Sequence, residues 1–151
     1  MTRLIMTSEL AGQIKLHSSN SYPNECCGAL LGAELASERE VLQVMQLANE
    51  RHDSPHNRFS ITPKDVMEVQ KKADTAGLEV IGWYHSHPDH PAEPSEYDRE
   101  HAWPNYSYII VSVDNQIPQQ MTSWRLTEDR GKFEQEEVDF ERKHYRTSIG
   151  T

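Results

Sequence analysis

The stretch from His85 to Asp98, His-Ser-His-Pro-Asp-His-Pro-Ala-Glu-Pro-Ser-Glu-Tyr-Asp, constrains this chain more than any other. The apolar run Leu78 to Tyr84 before it reads as a strand, with Val80, Gly82 and Tyr84 pointing one way and Ile81 and Trp83 the other. That strand delivers His85 to its end. Residues i and i+2 of an extended segment face one side, so His85 and His87 can present both imidazoles to one ion at about 2.0–2.1 Å. After a Pro-rich loop, Ser95 opens a short helix. Ser95 and Asp98 are three apart and share a face there, so the turn brings the Asp98 carboxylate back towards the strand end. Three such ligands and a water would fill a tetrahedral zinc shell with one open position. The fold must therefore bring a strand end and a helix start together.

Each half of this pattern has an ordinary explanation. Ser-x-x-Asp before a helix is also a capping box, and strand histidines often hydrogen-bond at a sheet edge. The two at one fixed spacing favour the metal. Capping and chemistry are also compatible, because a Ser95 fixed at a helix start is well placed to aim its hydroxyl at a substrate oxygen.

Elsewhere, Leu4-Ile5-Met6 reads as a strand, and a hydroxyl in Thr7-Ser8-Glu9 caps a helix carrying Leu10 and Ile14 on one face. That helix ends before Tyr22-Pro23. Cys27 to Ala33 reads as a buried strand starting the first sheet edge, and Val41 to Ala48 as its partner. Asn49 to Ser60 reads as a surface loop running into a short strand over residues 58–61, and Pro55 between His52 and His56 argues against their alignment on a helix. Thr62-Pro63 starts a helix with Val66, Val69, Ala73 and Ala76 at helical spacing, closed by Gly77. Ser107 to Asp114 and Gln120 to Thr127 form two strands of a meander. The tail from Lys132 is charged and carries no clear pattern. Trp103 and Tyr106 read as core packing. Asp89, His90 and Glu93 read as facing solvent or substrate. The interleaving, with the last strands following one another directly, predicts an α+β, mixed three-layer class.

The 151 residues suit one domain, spanning 1–151. A chain of this size buries roughly two-thirds of its unfolded surface and needs neither disulfides nor a structural metal, so any metal is expected to serve function. Fifteen Lys and Arg against twenty-four Asp and Glu give 15 − 24 = −9, with no basic stripe, which argues against nucleic acid. The start of the chain has no signal-peptide pattern, and nowhere do eighteen apolar residues run together, so a soluble, cytoplasmic protein with no membrane partner is expected. The two cysteines, Cys26 and Cys27, are neighbours and suit a reducing compartment. On a strand they face opposite sides, and no adjacent histidine makes either a nucleophile.

The motif resembles that of the JAMM or MPN-plus metalloproteases, which is His-x-His, seven residues, Ser, two residues, Asp. Here His85 and His87 are followed by seven residues, Ser95, two residues, and Asp98. The family also places a glutamate upstream in a Glu-x-Cys-Gly-like strand start, which Glu25-Cys26-Cys27-Gly28 resembles. The likeness covers roughly Leu4 to Leu126, and nothing in it departs from the catalytic pattern. It implies a cytidine-deaminase-like domain with a curved central sheet flanked by helices. It also implies one Zn2+ per chain on His85, His87 and Asp98, Glu25 as general base and acid, and Ser95 stabilising the oxyanion. The length and the Glu-Cys-Cys-Gly and Ala-Glu-Pro-Ser details are similar to the small, stand-alone prokaryotic branch.

The resemblance further implies cleavage of an isopeptide or peptide bond after the Gly-Gly terminus of a ubiquitin-like or sulfur-carrier protein. Such a tail could add as a strand to an exposed sheet edge, with residues 57–61 and 88–94 bordering the groove. Two rivals stand beside it: a non-catalytic interaction module that keeps zinc for structure, and a zinc amidohydrolase acting on a small-molecule conjugate.

Overall fold

The computed structural model describes residues 3–48 and 61–144. The expected loop over 49–60, its strand and the His52–His56 pair lie outside the described residues, as does most of the segment 57–61. In chain order the elements are β1 (Arg3–Thr7), α1 (Ser8–Ser21), β2 (Cys27–Glu34), β3 (Glu38–Leu47), α2 (Pro63–Ala76) and β4 (Glu79–Pro88). They continue with α3 (Glu96–His101), β5 (Ser107–Asp114), β6 (Ile117–Leu126), β7 (Phe133–Gln135) and β8 (Glu137–Arg142).

The strands form one sheet in the order β7-β6-β5-β4-β2-β3-β1-β8. Only Glu136 separates β7 from β8 in the chain, yet they occupy opposite edges. One residue cannot span a flat eight-stranded sheet, so the sheet curls until its edges meet. Inside the curl, Leu10, Ala11 and Ile14 of α1 pack with Leu4, Leu30, Tyr84 and Ile109, and Met121 and Phe140 reach the same core from the two sides. On the outer face, Val69 and Ala73 of α2 pack on Ala29, Leu31 and Trp83. Helices on both faces of a curved sheet give the mixed three-layer class that the interleaving predicts.

The helix ends follow the capping rules. Thr7 Oγ1 accepts the Leu10 N–H at 3.3 Å. At Thr62 the box is complete: its Oγ1 accepts Asp65 N–H at 3.1 Å, and Asp65 Oδ2 accepts Thr62 N–H at 2.9 Å. Gly77 ends α2 in the left-handed region at φ 71°.

The structure corrects several expectations. The β2–β3 pair lies mid-sheet, because β4 adds outside β2 and β1 with β8 add outside β3. The meander strand β6 begins at Ile117, since Asn115 and Gln116, both at positive φ, make a two-residue hairpin turn. The patternless tail supplies both edge strands. On α2 the buried stripe is Asp65, Val69 and Ala73, whereas Val66 and Ala76 are exposed. Strict alternation also fails in β4: Ile81 packs with Tyr84 on the α1 side, and Val80 with Trp83 on the α2 side. The cause is a bulge, for Leu30 pairs with Gly82 and Leu31 with Val80, leaving Ile81 between them. The buried Arg39 supports this bulge, donating from Nη1 to the Ile81 carbonyl at 3.3 Å and to Ser107 Oγ at 3.1 Å.

Candidate metal centre

Strand β4 does not stop at His85, because parallel pairing with β5 continues to Pro88 opposite Val113. Both histidines therefore stand on paired strand, His85 between β2 and β5 and His87 against β5. Their Nε2 atoms lie 3.1 Å apart. Asp98 Oδ2 is 3.2 Å from His85 Nε2 and 3.1 Å from His87 Nε2. All three side chains are buried. A tetrahedral shell with bonds of about 2.0–2.1 Å has edges of about 3.3–3.4 Å, so this nearly equilateral triangle is close to the size of one face of such a shell.

The hydrogen-bonding chemistry points the same way. His87 Nδ1 lies 2.8 Å from the Pro91 carbonyl, which can only accept, so Nδ1 carries a proton. In the neutral ring, Nε2 then turns a lone pair towards the Asp98 carboxylate. Those two atoms repel unless a proton or a metal cation sits between them. Without a metal a proton is favoured there. Burial pulls the His87 imidazole down, but the hydrogen bond and charge of Asp98 outweigh it and raise its pKa, helped by Pro91 and the charge of Glu25. Burial likewise pushes the Asp98 carboxyl up, while the charges and hydrogen bonds of His85 and His87 hold it well below the usual carboxylate range.

The start of α3 aims the carboxylate. Asp98 Oδ2 accepts the Ser95 N–H at 2.9 Å, and Ser95 Oγ accepts the Asp98 N–H at 3.1 Å. Capping box and candidate metal triangle thus share one carboxylate, so capping leaves Asp98 free to face the two histidines. The preceding loop is pinned at Ala92, whose carbonyl accepts from Thr122 Oγ1 at 2.7 Å. Asp89, exposed as expected, is also a clasp: its carboxylate accepts from Tyr22 Oη at 2.7 Å and from Asn115 N–H at 3.2 Å.

Glu25 precedes β2. The antiparallel register pairs Cys27 with His85 and, carried two residues further, sets Glu25 opposite His87. Glu25 is only 6% exposed, so it is no solvated turn carboxylate. It lines a cleft of about 330 Å³ with His87, His90, Glu93 and Ser95, walled by Pro91 and Pro94. The neighbouring Cys26 and Cys27 face opposite sides of the sheet, and burial pushes the Cys26 thiol up to about 11. At neutral pH it is no nucleophile.

His85 and Asp98 also border a second, larger groove of about 890 Å³ between α2 and α3, lined by Val66, Trp83, Tyr97, Trp103, Tyr106 and Arg130 among others. Here the core expectation for Trp103 fails. Tyr106 packs edge-on against Trp83 at 5.7 Å, but Trp103 is 64% exposed. It is nonetheless held in place: the Trp103 main-chain N–H donates to Tyr108 Oη at 2.8 Å, and the Arg130 guanidinium lies 5.3 Å from its ring. Sequence reasoning missed this wall because Arg130 lies in the Thr127–Lys132 turn, far from the motif. The segment 88–94 does border a cleft, the smaller one.

The sequence pattern of prokaryotic homologs of the JAB domain matches residues 7–127. The chain belongs to this JAB-domain family. Among its relatives, a desampylase of Haloferax volcanii is 31% identical over 121 residues, covering 77% of this chain and 85% of that protein. A Thermus thermophilus protein named "Probable TtuB-protein conjugate cleaving protease" is 31% identical over 105 residues, covering 70% of this chain and 67% of that one. A solution structure of a Desulfitobacterium hafniense protein superimposes with a TM-score of 0.78 at 31% identity, covering 89% of this JAB-domain chain and 90% of the other.

Proposed function

We propose that this JAB-domain chain is a zinc-dependent peptidase that hydrolyses the peptide or isopeptide bond following the Gly-Gly terminus of a ubiquitin-like or sulfur-carrier protein. The observation carrying this reading is the juxtaposition of the His85–His87–Asp98 triangle with a cleft containing Glu25 and Ser95. The names of the two curated relatives, a desampylase and a conjugate-cleaving protease, support the substrate class.

His85, His87 and Asp98 would hold the metal. When bound, zinc supplies Lewis acidity, drawing the pKa of a water towards about 7 and polarising the substrate carbonyl. Glu25 takes the proton of the attacking water and returns it to the departing amine. Its burial and its place opposite His87 keep that carboxylate beside the reacting atoms. The Ser95 hydroxyl, whose oxygen already accepts from the helix, turns its proton to the carbonyl oxygen as negative charge builds there.

The two clefts then divide the substrate. Glu25 serves the leaving amine from the small cleft, so the carrier's tail lies in the aromatic groove that His85 and Asp98 border. Trp103→Ala is expected to raise KM for a carrier-protein fusion about tenfold with little change in kcat, as for an aromatic contact made equally in the ground and transition states. Steady-state kinetics would show it, and an unchanged KM would remove the groove from the substrate path.

The overall reading is tested by incubating the metal-free protein with a ubiquitin-fold carrier extended past its Gly-Gly, with and without added zinc. Release of the carrier only when zinc is present is the expected result. No release under either condition, with zinc bound, would contradict it.

A further inference from the structure

Ser86 stands between the two strand histidines yet takes no part in their cluster. Alternation along β4 puts His85 on the outer face with Trp83, bordering the groove, and turns Ser86 to the inner face with Tyr84 and Cys26. Ser86 is completely buried there, so it cannot touch a substrate. Its hydroxyl oxygen accepts the Cys26 N–H at 2.8 Å, while its own N–H donates to the Cys26 carbonyl at 3.1 Å.

In a regular antiparallel ladder, two opposed residues exchange both main-chain bonds or neither. Past the last ladder pair, Cys27 with His85, one bond runs main chain to main chain and the other runs to a side chain. A hydroxyl has replaced a carbonyl as the clamp on the end of β2. The residue beyond that clamp is Glu25.

We propose that Ser86 is a positioning residue whose hydroxyl, working from the face opposite the metal triangle, holds the Cys26 amide and so fixes the Glu25 carboxylate relative to His87. The inference rests on Glu25 being the proton carrier. Removing the hydroxyl leaves the buried Cys26 N–H without its acceptor, so the strand end must shift or admit water. The triangle, built from β4 and α3, is left standing. A misplacement of about 1 Å in a catalytic group costs on the order of 10²-fold in rate.

The test compares wild type, Ser86→Ala and Ser86→Thr for zinc content, kcat and KM on the carrier fusion, and amide exchange at Cys26. Ser86→Ala is expected to keep one zinc per chain and its KM, to lose kcat by about 10- to 100-fold, and to exchange the Cys26 amide faster. Ser86→Thr, which keeps the hydroxyl, should retain most of the kcat and the slow exchange. Full kcat in Ser86→Ala, loss of zinc in step with kcat, or an equal kcat loss in Ser86→Thr would each overturn the positioning role. An inactive wild type would instead overturn the proposed function, and this role with it; slow or fast exchange at Cys26 is read without any activity.

Discussion

Glu25→Gln is expected to keep one zinc per chain and to lose cleavage by about 10²–10⁴-fold, the range that general acid–base groups supply. Gln is close to Glu in size, so packing at this buried position, 6% exposed, is preserved. What it lacks is a basic oxygen. The loss should fall on kcat with KM little changed, because proton transfer belongs to the transition state and not to substrate binding. Metal analysis and steady-state kinetics on the same preparation separate the possible roles. Zinc lost together with activity would make Glu25 a ligand, and retained activity would remove it from the mechanism.

Gly82→Ala should prevent the protein from folding. A β-carbon at Gly82 would stand 2.1 Å from the Ser107 carbonyl oxygen and 3.0 Å from its carbon, with a Leu30 methyl at 3.1 Å. The obstacle is backbone, which cannot rotate away as a side chain can. Gly82 pairs with Ser107 at the start of the β4–β5 ladder, so relief would require parting the two central strands just before His85 and His87. Ser107 is also tied by Arg39 to the bulge at Ile81, which removes the remaining slack. A cost above about 4–5 kcal/mol follows, a large share of the roughly 5–15 kcal/mol that holds an ordinary domain together. The variant should be insoluble or lack a cooperative thermal transition. A melting temperature within a few degrees of wild type would contradict the close approach.

What could be read from the residues alone follows from how local each signal is. The helix starts at Thr7, Thr62 and Ser95 and the stop at Gly77 were legible because capping involves neighbours within four residues. The triangle was legible for the same reason: a strand's i, i+2 geometry pairs His85 with His87, and a helix's i, i+3 geometry ties Asp98 to Ser95. Features that depend on distant segments were not. The bulge at Ile81 is set by register with β2, and nothing within Leu78 to Tyr84 announces it. Trp103 reads as core because large aromatics usually are; its exposure is sustained by Tyr108 and Arg130 from other elements. The tail from Phe133 looks patternless because its short strands complete the two edges of a curled sheet and are stabilised by it. There the buried Glu136, bonded to Ser123 Oγ at 2.7 Å and to Arg125 Nε at 2.7 Å, carries polar anchoring that no hydrophobic pattern reveals.

The most direct test of the central claim is the intact mass of the products when the zinc-loaded protein acts on a ubiquitin-fold carrier joined through its Gly-Gly terminus to a second peptide. Two products summing to the substrate plus one water, with the carrier ending at its second glycine, are predicted. An uncut substrate, or a cut at any other bond, would contradict the assignment of this site to Gly-Gly hydrolysis.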